Sequence, residues 1–140
     1  MVIDTSAILA ILRDEPERRH FNQAIDADNT RLMSTASFVE ASIVMQARHG
    51  EEGVRALDLF LLRAEIELAS VDGNQAHLAR QAFRLYGKGR HPAALNFGDC
   101  FTYALAKTTG EPLLFKGNDF TRTDLVGVLG SSGGTEPTAG

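Results

Sequence analysis

Residues 95–107 read LNFGDCFTYALAK, and in this stretch a turn runs directly into a helix that carries an acid at its start. Asn96 is placed to cap the helix, and Asp99 falls in the first turn, where acids complement the helix dipole. At 100° per residue, Asp99 shares one helix face with Tyr103 and Ala106, so we expect its carboxyl group to lie inward. Such an acid is either an ordinary helix-start residue or part of a site, and the other acids of the chain bear on that choice.

Outward from this helix, short apolar strands alternate with amphipathic helices along the chain. The predicted strands are residues 1–4, 31–35, 65–71 and 113–115, with an edge strand at 125–129, and the predicted helices are 7–13, 14–27, 36–49, 51–64 and 74–86. This alternation predicts an α/β fold with a short, mainly parallel sheet and helices on both faces. Sheets of this kind bind ligands at the carboxyl ends of their strands.

The composition is that of one ordinary globular domain. The chain has 140 residues, of which 44% are hydrophobic and 23% are charged. We expect the domain to span residues 1–129, because the last segment (130–140, GSSGGTEPTAG) offers almost no apolar surface to bury and is predicted to be disordered.

Cysteine content, hydropathy and charge limit the cellular compartment and the kinds of partner that we expect. Cys100 is the only cysteine, which excludes an internal disulfide and a cysteine metal cluster and fits a reducing cytoplasm. No apolar run approaches the ~18 residues that a membrane span needs, so no membrane association is expected. The net charge of −4 is unusual for a protein that binds nucleic acid. A nucleic-acid partner would therefore require locally concentrated basic residues and the help of metal ions.

Three further acids conflict with a purely structural role. Asp4 ends the first strand, at the expected site edge, and Thr5 or Ser6 could cap the following helix in its place. Asp119 follows the last buried strand, where turn acids are also common. Glu40 lies inside the apolar stripe of the 36–49 helix that we predict to face the core. That stripe consists of Ala36, Val39, Ile43, Val44 and Ala47.

A charged carboxylate in such a stripe costs several kcal/mol unless something pairs with it. One reading is a protonated or salt-bridged core residue; the other is a cation shared between Glu40, Asp4, Asp99 and Asp119. Carboxylates without His or Cys ligands suit a hard cation, Mg²⁺ or Mn²⁺. Such ions can supply a water nucleophile and stabilise the attacking and leaving oxygens of a phosphodiester.

Basic residues form a separate candidate feature. Lys88 and Arg90 lie in the glycine-rich loop GKGRHP at 87–92, which is too short for a Walker loop, and Lys116 follows the last buried strand. Together they could contact a nucleic-acid backbone, or the loop could simply be solvated.

These motifs, in this order and spacing, resemble a known family. The segments VIDTSAILAIL (2–12), STASFVEA (34–41), LNFGDCFTYALAK (95–107) and EPLLFKGNDF (111–120) look like those of PIN-domain ribonucleases, specifically the VapC-type toxins of bacterial toxin–antitoxin pairs. The resemblance covers residues 1–129. It implies a three-layer α/β/α sandwich and an acidic Mg²⁺ site that cleaves RNA, often tRNA or rRNA.

Carried over by matching motif, the resemblance makes Asp4, Glu40 and Asp99 the metal-binding acids. Many relatives have their fourth acid where this chain has Gly117, so either Asp119 substitutes for it or the site has three acids only. Thr5 or Ser6 would hold the Asp4 carboxylate in position.

The resemblance also implies a homodimer and a VapB-type antitoxin that blocks the site. The 36–49 helix fits such partners, because Phe38, Ala41 and Met45 give it a second apolar sector opposite the predicted core stripe.

Two other readings remain open from the sequence. A signalling receiver domain also combines an acidic Mg²⁺ pocket with a lysine after a late strand, but it needs paired acids after its first strand, and here Asp4 is followed by Thr5 and Ser6. The second alternative is a PIN-like module that binds a partner without catalysis.

Overall fold

The computed structural model describes residues 1–129, and the tail predicted for residues 130–140 lies outside them. The strands are β1 (Val2–Ile3), β2 (Leu32–Ser34), β3 (Glu67–Ala69) and β4 (Leu113–Leu114). The helices are α1 (Thr5–Leu12), α2 (Arg18–Ala27), α3 (Thr35–Arg63), α4 (Gly73–Tyr86) and α5 (Phe97–Thr109), followed by a short 3₁₀ helix at Asp119–Arg122.

The four strands form one parallel sheet in the order β3-β2-β1-β4. Val2 lies opposite both Leu32 and Leu113, so β1 is a central strand. The edge strand predicted at residues 125–129 is reduced to an isolated bridge between Leu113 and Gly127. The carboxyl ends of all four strands therefore meet at one edge, as the alternation of elements predicted.

Helices cover both faces of this sheet, which confirms the predicted three-layer α/β/α architecture. Successive side chains of a strand point to opposite faces. Ile3 and Leu114 accordingly pack in one core cluster with residues of α1, α2 and α3, whereas Val2 and Leu113 pack in a second cluster with α4 and α5.

The long helix α3 corrects the prediction about its core face. Its buried residues in the first half are Ser37, Ala41 and Met45. The stripe predicted to face the core is largely solvent-exposed instead, with Val39 at 53% and Ile43 at 63% exposure. The helix has two apolar sectors, and the one predicted to meet a partner is the one that packs on the core.

Gly50 divides α3 into the two segments that the sequence predicted. It has φ 64° and ψ −152°, a backbone conformation that residues with a Cβ rarely adopt. The first segment carries Glu40 toward the sheet edge.

Among the described residues, no helix combines the length and apolar character required to cross a membrane.

Candidate active site

Asp4 is fixed at the carboxyl end of β1 by hydrogen bonds to both of its carboxylate oxygens. It caps α1 itself, since Oδ2 accepts the backbone N–H of Ser6 at 3.0 Å. Oδ1 accepts the hydroxyl of Thr102 at 2.7 Å, from the neighbouring helix α5. The residue is only 4% exposed. Of the three candidate caps that the sequence offered, the structure uses Asp4, and neither Thr5 nor Ser6 takes its place.

The side chains of Thr5 and Ser6 have other hydrogen-bond partners. Thr5 Oγ1 donates to the carbonyl oxygen of Ser37 at 3.2 Å, and Ser6 Oγ accepts the backbone N–H of Lys116 at 2.9 Å. Of these two residues, only Ser6 holds the Asp4 carboxylate directly, and it does so through its backbone.

Asp99 is held at the start of α5 by a reciprocal capping arrangement. Asn96 Oδ1 accepts the backbone N–H of Asp99 at 2.9 Å, and Asp99 Oδ2 accepts the backbone N–H of Asn96 at 3.0 Å. The predicted cap at Asn96 is confirmed. Burial and the nearby charge of Asp4 raise the pKa of Asp99 to about 7, with smaller contributions from Asp119 and Glu40 and an opposing one from the Asn96 N–H.

Glu40 reaches the same edge from α3. Its carboxyl group lies against the backbone of Gly98, where a built Cβ would fall 2.5 Å from Oε1 and 2.6 Å from Cδ. Burial and the charge of Asp4 raise the pKa of Glu40, while the nearby polar side chain of Thr5 opposes the shift.

Asp119 opens the 3₁₀ helix that follows β4. Burial and the charge of Asp4 raise its pKa as well. The chain that follows this 3₁₀ helix is bound to α5, because Tyr103 Oη and Lys107 Nζ each donate a hydrogen bond to the carboxylate of Asp124 at 2.8 Å.

The structure therefore brings Asp4, Glu40, Asp99 and Asp119 together, and each of the last three has its pKa raised by Asp4. Within residues 1–129, none of the four forms an ion pair with a basic side chain. In the same part of the chain, no three His, Cys, Asp or Glu side chains already stand close enough to hold a metal ion. A cation would have to draw the carboxylates inward. An all-oxygen set of uncompensated acids fits Mg²⁺ or Mn²⁺ in its chemistry.

The three candidate basic residues differ in their surroundings. Lys116 Nζ pairs with Glu15 at 2.6 Å and with Glu17 at 3.4 Å, so its charge is already matched. Lys88 and Arg90 are exposed in the loop between α4 and α5.

Sequence reasoning missed Thr102, Ser37 and Gly98. All three are buried at the site edge. A usable signal existed for the two hydroxyl residues, because each is a polar residue on an apolar helix face, and each lies three positions from a candidate acid.

Comparisons with known proteins identify the family of this chain. The family model of the PIN domain matches residues 1–126. The chain is 58% identical over 128 residues to VapC ribonuclease Mb0640 of Mycobacterium bovis and to ribonuclease VapC30 of Mycobacterium tuberculosis, covering 91% of this chain and 98% of each relative. It is 57% identical over 128 residues to ribonuclease VapC of Mycolicibacterium smegmatis, covering 91% of this chain and 99% of that relative.

Solved structures show the same fold at lower identity. Mycobacterium tuberculosis VapC20, described as a sarcin–ricin loop cleaving toxin, superposes with a TM-score of 0.72 at 16% identity over 89% of this chain and 95% of its own. VapBC2 of Rickettsia felis, bound to a promoter DNA fragment, superposes with a TM-score of 0.67 at 16% identity, covering 88% of this chain and 92% of its own. The chain thus belongs to the PIN-domain family, among its VapC ribonucleases. The predicted class, an endoribonuclease of the VapC toxin type, is confirmed.

Proposed function

We propose that this chain is a Mg²⁺-dependent endoribonuclease whose metal ligands are Asp4, Glu40 and Asp99. The observation that carries the proposal is that these carboxylates lie at one edge of the sheet, close enough for Asp4 to raise the pKa of the other two, and that none of them forms an ion pair with a basic side chain among residues 1–129. When bound, Mg²⁺ (or Mn²⁺) supplies Lewis-acid stabilisation of the phosphate charge and an activated water nucleophile.

The residues of the chain prepare the site for that chemistry. Asp4 is orientated by two hydrogen bonds, and Asp99 is held by the Asn96 cap, so the orientation of each carboxylate is restrained before a ligand arrives. Asp119 would complete the acid set in place of the absent acid at Gly117, because its charge interacts with that of Asp4. Since Asp99 has a pKa of about 7, metal binding has to displace a proton from it near neutral pH.

RNA is the proposed substrate, with tRNA or rRNA as its class. Lys88 and Arg90 are exposed and would supply positive charge for phosphates that flank the cleaved bond. Lys116 is the weaker candidate, because binding RNA would require it to leave Glu15.

A VapB-type antitoxin and a second copy of the chain are the proposed partners. One structural neighbour, from Klebsiella pneumoniae, is a toxin–antitoxin complex. Exposed apolar side chains on this chain support such partners: Val39, Ile43, Phe83 and Phe97. Phe83 and Phe97 also line an apolar groove between α4 and α5. Contiguous apolar surface of the kind that lines this groove is typical of an interaction site.

The proposal is tested by incubating partner-free protein with total tRNA and rRNA in Mg²⁺ or in EDTA. We expect discrete fragments in Mg²⁺ and none in EDTA. Asp99→Asn should abolish cleavage, whereas Asp58→Asn, an exposed acid on α3, should leave it unchanged. Equal cleavage by wild type and Asp99→Asn would overturn the assignment. Folded protein that cleaves no RNA in Mg²⁺ would instead favour a binding module.

A further inference from the structure

Thr102 makes a buried polar contact with the acid cluster that the proposed ligand set does not include. It lies on α5 with 0% exposure, and its Oγ1 is 2.7 Å from Asp4 Oδ1. The same oxygen is 3.0 Å from Oγ of Ser37, which is also 0% exposed and belongs to α3. The two hydroxyls therefore link the helices of Glu40 and Asp99 to the acid between them.

The donor directions follow from the chemistry of the three groups. Thr102 Oγ1 donates to Asp4 Oδ1, and a threonine hydroxyl has only one proton to donate. Thr102 can then only accept from Ser37, which makes Ser37 the donor to Thr102. Each bond in such a chain polarises the next and strengthens it, and burial excludes water that would compete.

This arrangement also determines which lone pairs of the Asp4 carboxylate remain free to bind a cation. One lone pair of Oδ1 is taken by Thr102, and one of Oδ2 is taken by the Ser6 N–H. The remaining lone pairs are available to a cation, and rotation of the carboxylate about its Cβ–Cγ bond is restrained from two sides. Without Thr102, the Ser6 N–H would be the one remaining hydrogen bond to this carboxylate from a side chain or neighbouring backbone within residues 1–129.

We propose that Thr102, supported by Ser37, is a positioning residue that presets the Asp4 carboxylate for the cation. This inference rests on the proposed function, since it assumes that Asp4 is a metal ligand. Partners that orient a metal ligand in this way are typically worth about 10–100-fold in metal affinity.

The test measures Mn²⁺ affinity directly, with MnCl₂ titrated into wild type and variants and free Mn²⁺ followed by electron paramagnetic resonance. Thr102→Val keeps the shape and removes the hydroxyl, and it should weaken Mn²⁺ binding by about 10-fold or more. Thr102→Ser restores the hydroxyl and should recover most of the affinity. Thr108→Val, on the exposed side of the same helix, is the matched control and should bind like wild type.

A second variant keeps the inference testable if Thr102→Val fails to fold, which thermal unfolding in EDTA would show. Ser37→Ala leaves Thr102 in place but removes its donor, and it should weaken Mn²⁺ binding by a smaller factor. Wild-type affinity in Thr102→Val, or in Ser37→Ala where Thr102→Val is unfolded, would overturn the inference while the proposed function stands. Wild type that binds no Mn²⁺ would overturn both.

Discussion

The carboxyl group of Glu40 lies directly against the backbone of Gly98, one residue before Asp99. A Cβ on residue 98 would stand 2.5 Å from Glu40 Oε1, much closer than any real non-bonded contact. The absence of a side chain at Gly98 is therefore what lets an acid from α3 approach an acid on α5.

Gly98→Ala tests this relationship. Alanine favours a helix more than glycine does, so the fold should survive, but the new methyl group should displace the Glu40 carboxylate. We expect cleavage of RNA to fall by at least about 10-fold, as for a misplaced reacting group. Gly73→Ala is the matched control, because a Cβ there meets nothing within 4 Å. Full activity of Gly98→Ala would show that Glu40 is free to move without consequence.

The raised pKa of Asp99 predicts how stability depends on pH without metal. Its pKa is raised from 3.8 to about 7, so the folded chain keeps a proton that the unfolded chain loses. The free energy of unfolding in EDTA should therefore fall as pH rises from about 4 to about 7, and the part of this loss between pH 5.5 and pH 7 should be roughly 1–2 kcal/mol. Urea unfolding at pH 5.5 and pH 8 measures this.

The corresponding variant is Asp99→Asn, which removes the titrating group and keeps a side-chain oxygen that can accept the backbone N–H of Asn96. In EDTA at pH 8 it should be more stable than wild type, and its stability should change less with pH. Asp58→Asn should follow the wild-type curve. A wild type that gains stability between pH 5.5 and 8 in EDTA would contradict the assigned sign.

The basic loop predicts a salt-dependent contribution to RNA binding. Lys88→Gln and Arg90→Gln should each weaken binding to all RNA sequences alike and reduce the salt slope by about 1. Lys116→Gln should have a smaller effect, since Lys116 is paired with Glu15. Binding is measured by fluorescence anisotropy in EDTA over a range of salt. Arg55→Gln, on α3, serves as control, and an unchanged slope in the loop variants would remove this loop from the RNA interface.

Phe97 predicts an effect on assembly rather than on folding. It is 78% exposed and contacts mainly Phe101, at 4.9 Å between ring centres. Phe97→Ser should change the free energy of unfolding by less than about 1 kcal/mol and weaken self-association or antitoxin binding. Sedimentation velocity and co-purification with the antitoxin measure the two. Leu62→Ser, at 75% exposure, is the control. Unaltered assembly by Phe97→Ser would place the interface elsewhere.

The sequence by itself determined the alternation of strands and helices, the parallel sheet and the cap at Asn96. Each of these depends on local patterns, such as apolar periodicity or a polar residue before a helix, that a single segment carries within itself. The motif order was also sufficient for the family.

The tertiary structure alone decided which face of α3 is buried. The apolar pattern within the helix favoured the sector of Val39 and Ile43, whereas the sector of Ala41 and Met45 is buried. Burial of that sector brings the Ser37 hydroxyl to that of Thr102, 65 residues away, which satisfies it in the core. Glu40 reaches the acid cluster from the border of the buried sector, not from the centre of a core stripe as the sequence suggested.

The contacts that hold Asp4 were likewise beyond the sequence. Thr5 and Ser6 are its chain neighbours, yet the hydroxyl that binds Asp4 belongs to Thr102, 98 residues away. Local spacing reveals which residues can cap a helix. Which side chains meet across two helices and a sheet depends on how the helices pack, and no local sequence pattern encodes that packing.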